Sequence, residues 1–304
     1  VTMKVDDINF KFFHINKWDN GEFKGDAIST TSELVKISSD GNLGLEEGQK
    51  FERGGIYRFT VDVTKGNTKA VLTVEKIGKV DLPAPDIFFG NDKMEVTDTD
   101  IYKSEQVFTQ GQMITVTGID NLNEWWIDPD FFEKQSDGAL KFLPINGDYR
   151  VTANAVLKYF SVMALKDGKP AKLQDDGTGA IWAIGKGIGK PSVTSSEVGW
   201  EPGKALCLAQ VAPKKYQLTL KAGETLKTSG DWEAISFKFF YQNDWGDEFK
   251  NYANSILVEQ LKLTDSGNLE MQDNKAFEEG AVYRFTIDVT NGNANADLKV
   301  EKIN

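Results

Sequence analysis

The chain carries one block of sequence twice. Residues 57–77 read YRFTVDVTKGNTKAVLTVEKI and residues 283–303 read YRFTIDVTNGNANADLKVEKI, identical at 15 of 21 positions. Upstream, Ile8-Asn9-Phe10-Lys11-Phe12-Phe13 matches Ile235-Ser236-Phe237-Lys238-Phe239-Phe240. A tryptophan follows in each copy, Trp18 or Trp245, and then Glu-Phe-Lys at 22–24 or 248–250. The offset stays at 226 to 227 residues, so a whole structural block is duplicated and the fold must be modular. Tyr149-Arg150-Val151-Thr152, after the turn at Asn146-Gly147-Asp148, is a faint third echo.

The repeated block alternates at period 2. Tyr57, Phe59, Val61 and Val63 fall on one face and Arg58, Thr60, Asp62 and Thr64 on the other, the pattern of a half-buried antiparallel strand. Lys65-Gly66-Asn67 supplies a hairpin turn and Val71–Lys76 the returning strand. Ser39-Asp40-Gly41-Asn42 and Asp265-Ser266-Gly267-Asn268 repeat the punctuation, and strand-like runs continue at Met113–Thr117, Ala180–Ile184, Ala205–Val211 and Tyr216–Ala222. Short strands at even spacing predict an all-β fold of tandem immunoglobulin-like β-sandwich modules. The expected boundaries are 1–79, 80–170 and 171–304, with Leu82-Pro83-Ala84-Pro85 as a stiff linker. Val1-Thr2-Met3-Lys4 lines up with Leu218-Thr219-Leu220-Lys221, so the first module lacks a counterpart to residues 178–217.

Composition closes off several functions. Over 304 residues, 35 Lys+Arg stand against 46 Asp+Glu, a net charge of −11, which argues against a nucleic-acid partner. One histidine and one cysteine leave no conventional zinc site, and a nucleophilic pair would have to join His14 to Cys207 across distant modules. Leu206-Cys207-Leu208 reads as a buried strand segment. His14 aligns with Tyr241, which marks a surface or rim position and not a catalytic base. No cofactor or metal is expected. No apolar stretch approaches the roughly 20 residues that span a bilayer. The opening Val1–Val5 carries neither a signal peptide nor an acylation signal, so any export or anchoring signal is expected to have been lost or cut away.

The informative side chains are the seven tryptophans. Trp200 lies in the turn Val198-Gly199-Trp200-Glu201-Pro202, and Trp245 follows Gln242-Asn243-Asp244. Period 2 turns the Lys238 ammonium away from the face that Phe237 and Phe239 share. Exposed indoles stack on the apolar C–H faces of pyranose rings while Lys238 and Asn243 bond hydroxyls, so this cluster predicts a sugar site; the competing reading is core tryptophans closing the sandwich edge. Glu124-Trp125-Trp126-Ile127-Asp128-Pro129-Asp130 is either an acid-rich sugar or Ca²⁺ site or a bend made by Asp-Pro and packed by Phe131 and Phe132. Gly185-Lys186-Gly187-Ile188-Gly189-Lys190-Pro191-Ser192 fails the phosphate-loop template at Pro191 and reads as a flexible turn.

From Ile181 to the end, the order Trp182–Ile184, Gly199-Trp200, Leu206–Ala209, Tyr216–Leu220, Phe237-Lys238-Phe239, Trp245 and Tyr283–Val289 resembles the starch-binding modules of the SusE/SusF outer-membrane lipoproteins of Bacteroidetes. Residues 8–77 resemble the second half of the same module. The resemblance implies a non-catalytic, surface-exposed binder of a polysaccharide or oligosaccharide at the outer membrane, working beside SusC/SusD-like uptake proteins. By position it implies that Trp200, Lys238 and Trp245 grip the sugar, with Lys11 and Trp18 as a second site. The family's lipidated cysteine is absent here. The rival expectations are a structural or adhesive surface protein with no sugar site, and a glycoside hydrolase, for which no facing acid pair stands out.

Overall fold

The computed structural model describes residues 8–17, 21–52, 54–80, 85–119, 121–229 and 234–304. It is built almost entirely of strands, and no helix among the described residues is long and apolar enough to cross a membrane. Two compact units form, residues 1–84 and residues 85–304.

In the first unit the alternating segment becomes strand Gly55–Asp62, hairpin-paired with strand Ala70–Lys79. A short strand Ile28–Thr30 runs parallel to the other edge of 70–79, giving the order 28–30, 70–79, 55–62. A second hairpin joins Val35–Ile37 to Leu43–Leu45, and Phe10 bridges to Leu43. Between these pieces Phe23, Ile28, Val35, Leu43, Phe51, Ala70 and Leu72 are buried. Phe10, Phe12, Tyr57, Phe59 and Val61 are only partly so.

The second unit holds two sandwiches. In the first, a five-stranded antiparallel sheet runs in the order Lys169–Pro170, Tyr159–Lys166, Gly147–Asn154, Ile101–Phe108, Glu95–Asp98. Phe89, Phe108, Phe142 and Phe160 fill its core, with the Phe108 and Phe142 rings stacked at 4.8 Å.

The other sandwich pairs two sheets. One contains strand Trp182–Gly189 between Glu197–Gly199 and Ser236–Phe240, followed by Leu269–Met271 and Leu261–Leu263. The second runs Ala209–Ala212, Lys215–Lys221, Val282–Asp288, Asp297–Lys302, Asn254–Ile256. Alternation aims Phe237 and Phe239 at Phe285 across the gap, at centroid distances of 5.5 and 6.4 Å.

Several pairings recur in both copies. The parallel strand 28–30 has its counterpart in 254–256, and the bridges Phe10 to Leu43 and Phe13 to Glu22 recur as Phe237 to Leu269 and Phe240 to Glu248.

Gly185–Gly189 is not the flexible turn expected from its glycines: it forms the second half of strand 182–189, in the middle of a sheet. A Cβ at Gly185 would lie 2.3 Å from the Phe237 Cα, and one at Gly187 would lie 2.4 Å from the Ala234 carbonyl oxygen. The glycines are there because the neighbouring backbone passes too close for any side chain.

Candidate functional site

Strand 236–240 sets out the site. With Phe237 and Phe239 committed to the core, Lys238 and Phe240 project from the opposite face, opposite Ile184 and Trp182 of the neighbouring strand. The chain then leaves the sheet in a tight loop closed by the Tyr241 amide donating to the Asp247 carbonyl, 2.7 Å. Trp245 stands in that loop. Its amide donates to Asp244 Oδ1, and its carbonyl accepts from Gln242 Nε2. Trp200 approaches from the other side, directly after the pairing of Gly199 with Gly185.

The two indoles meet. Their ring centroids lie 6.2 Å apart with planes 25° from parallel, and the Phe240 ring meets Trp245 edge-on at 5.9 Å. Rings in face contact sit about 3.5–4 Å apart, so a 6.2 Å separation requires a lateral displacement of about 5 Å. A displaced pair leaves part of each face uncovered. Trp245 is 49% exposed, Trp200 half-buried.

The other expected residues are placed differently. Lys238 is buried and its ammonium ion-pairs with Glu248 at 3.2 Å, with Lys250 joining the same carboxylate at 3.8 Å. It is therefore half of a buried ion pair and is not a free donor. Asn243 is half-buried, and its side-chain oxygen is enclosed with no hydrogen-bond partner among the described residues. In the first copy, Lys11 donates to the Asp40 carbonyl at 2.9 Å, and Trp18 lies outside the described residues. His14 is exposed, its ring edge-on to Phe23 at 5.4 Å. Residues 1–84 contain no counterpart of Trp200, so the pair seen in the second copy is not reproduced within the first.

The family models follow the same division. A domain of unknown function, DUF5121, matches residues 1–64 and 176–290, more than half of the chain, and reaches into both copies of the duplicated block. The chain belongs to the DUF5121 family. A second domain of unknown function, DUF5125, matches residues 81–173, the sandwich between the copies. No curated protein matches the chain.

Where DUF5125 meets the second DUF5121 copy lies a charge cluster that the sequence did not disclose. The segment Glu124–Asp130 does bend, with the Asp130 amide on Asp128 Oδ1 and Phe131 and Phe132 packed beneath. Its two carboxylates, however, clamp one lysine. Lys190 Nζ lies 2.9 and 2.7 Å from the Asp128 oxygens and 3.1 Å from Asp130, all three side chains buried. Asp130 also accepts from the Thr219 amide, the Thr219 hydroxyl and Gln217 Nε2 at 2.6–2.7 Å.

Burial works to raise the Asp130 pKa, but the Lys190 charge and these donors outweigh it and hold the carboxyl below its usual range. Burial likewise opposes the Lys190 charge, and the two aspartates overcome it and push that pKa up. Asp128, with fewer donors, is pushed up by burial.

Beside the cluster is a cavity of about 550 Å³ lined by Trp126, Tyr159, Phe160 and Cys207. Burial raises the Cys207 thiol to about 12, so it stays protonated near neutrality. Among the described residues no group of three or more His, Cys, Asp or Glu side chains is arranged to hold a metal ion.

Proposed function

We propose that this chain is a non-catalytic glycan-binding protein in which Trp200 and Trp245 form one platform for a polysaccharide or oligosaccharide chain. The observation that carries the reading is the displaced, near-parallel indole pair with Trp245 half in solvent. A protein core has no need to leave two indoles aligned at a loop tip, whereas pyranose rings stack on such surfaces. Lys238, on the strand that leads into the Trp245 loop, is paired with Glu248, and Asn243 belongs to that loop. The resemblance to SusE/SusF supports a role at the outer-membrane surface, delivering glycan to SusC/SusD-like uptake proteins. The charge cluster supports the non-catalytic part: Asp128 and Asp130 are both engaged by Lys190 and are not available as an acid–base pair.

Magnitudes set the affinity. Covering about 100 Å² on each indole contributes about 2.5 kcal/mol per ring. Against an association cost of several kcal/mol, the surplus gives dissociation constants in the micromolar to millimolar range.

Affinity electrophoresis against glucan, xylan and mannan panels tests this. Trp245→Ala or Trp200→Ala should abolish retardation by the bound glycan while lowering Tm by no more than a few degrees. Retardation that survives both substitutions, or a wild-type chain that responds to no glycan, would refute the proposal.

A further inference from the structure

An indole that is 49% exposed has little packing to hold it, so the backbone of its loop decides where the ring of Trp245 stands. That backbone is tied to a residue outside its own domain. Gln242 Nε2 donates to the Trp245 carbonyl at 2.6 Å, and Gln242 Oε1 accepts from Lys172 Nζ at 2.6 Å. A side-chain amide can bridge the two because it donates at one atom and accepts at the other. Lys172 belongs to the DUF5125 match and Gln242 to the DUF5121 match, so the chain of bonds from Lys172 to Trp245 crosses the domain boundary.

Lys172 is itself held by its neighbours. Along residues 171–174 burial alternates, with Ala171 and Leu173 buried and Lys172 and Gln174 exposed. The Ala171 amide donates to the Ala164 carbonyl of strand 159–166, and the Ala171 carbonyl accepts from the Trp182 indole, both at 2.9 Å. Next to Gln242, the Tyr241 carbonyl accepts from the Leu173 amide at 2.7 Å, and the Gln174 carbonyl accepts from Asn293 Nδ2 at 3.0 Å. The segment is therefore fixed on both sides of Lys172. In the first copy the position of Gln242 is taken by Ile15, whose side chain neither donates nor accepts.

We propose that Lys172 and Gln242 are positioning residues for the sugar platform. The segment joining the two domains sets the Trp245 loop, and through it the placement of Trp245 against Trp200. In the glycan-binding reading, on which this role rests, a loop set in advance spares the ordering cost that binding would otherwise incur.

The test uses the whole chain and first reads the indole pair without glycan. Two adjacent indoles give an exciton couplet in far-ultraviolet circular dichroism, isolated as the difference from Trp200→Phe. Lys172→Met removes the ammonium. Gln242→Glu keeps an acceptor for Lys172 but sets a second acceptor against the Trp245 carbonyl. Each variant should reduce the couplet and weaken retardation in glycan affinity gels about three- to tenfold, the range of one hydrogen bond. Tm should stay within about 2 °C, as for exposed substitutions. Lys172→Arg should retain both signals. A couplet unchanged by Lys172→Met and Gln242→Glu would overturn the proposal. So would weakened retardation with an intact couplet, since the two residues would then act on the sugar directly. A wild-type chain that responds to no glycan would refute the sugar reading alone and leave the couplet to decide the positioning.

Discussion

Strands 56–62 and 282–288 share five of seven residues and their hairpin partners share most of theirs, yet they live in different surroundings. In the first copy Tyr57, Phe59 and Val61 are half-buried at the end of a three-stranded sheet; in the second, Tyr283, Phe285 and Ile287 are at most 2% exposed in the middle of a five-stranded one. The alternation in the sequence decides which face is apolar. How much of that face leaves water is decided by strands far away in the chain, 182–189 and 215–221, which have no counterpart in residues 8–84. A propensity for strand is local, whereas the stability that follows from burial is not.

The comparison can be broken hardest at Lys190. Asp130 fixes strand 215–221 through Thr219 and Gln217, so the charge cluster secures a neighbour that has no counterpart among the described residues of the first copy. Lys190→Ala leaves two buried carboxylates without their cation and should destabilise residues 85–304 by about 3–5 kcal/mol, measured by chemical denaturation. Amide exchange at 282–288 should then move toward the faster rates expected at 55–62. Unchanged exchange at 282–288 would mean that the cluster does not hold the strand in place.

Paired truncations sharpen the same contrast with a smaller effect. Phe285→Ala should cost about 3–5 kcal/mol, the range for a fully enclosed phenylalanine. Phe59→Ala, at the equivalent position, should cost about half as much, because its ring already meets solvent. Equal losses in the denaturation of the two units would show that the deeper burial of Phe285 does not matter to the core.

The smallest effect is electrostatic. Hydrogen bonds from Lys76 and Lys79 bring the Glu52 pKa down to about 2. A folded value below the unfolded one means the contribution is fully present above about pH 4.5 and disappears as the pH falls toward 2. Glu52→Gln should therefore flatten the acid limb of the first unit's stability by a modest amount, read as urea midpoints at pH 6 and pH 3. The corresponding Glu278–Lys302 pair in the second copy would be untouched.

Much of this architecture was legible from spacing. Period 2 fixed the faces of 55–62 and 282–288, the offset of 226 to 227 residues matched these hairpins and the segments 8–13 and 235–240, and the loop setting of Trp200 and Trp245 singled out the two indoles that prove to be neighbours. The glycine run 185–189 misled, because glycine serves both loose turns and close backbone approach, and only the neighbouring strand 236–240 distinguishes them. The cluster of Asp128, Asp130 and Lys190 was invisible for another reason: its partners lie about 60 residues apart and on different modules, and no local pattern encodes a meeting of that kind. The burial of Lys238 was likewise set by a partner, Glu248, that period 2 does not reveal.

The cation held between Asp128 and Asp130 also governs how this protein can be dissected. The boundary between the DUF5125 and DUF5121 matches, near residue 175, invites a cut there. A recombinant piece starting at that point would carry Lys190 stripped of both counter-charges and would uncover the Trp182 indole, whose N–H donates to the Ala171 carbonyl. Sugar-binding assays on such a fragment would report the damage at its raw face as much as the merits of the indole shelf, so the span from residue 85 to 304 is the smallest piece worth purifying for them.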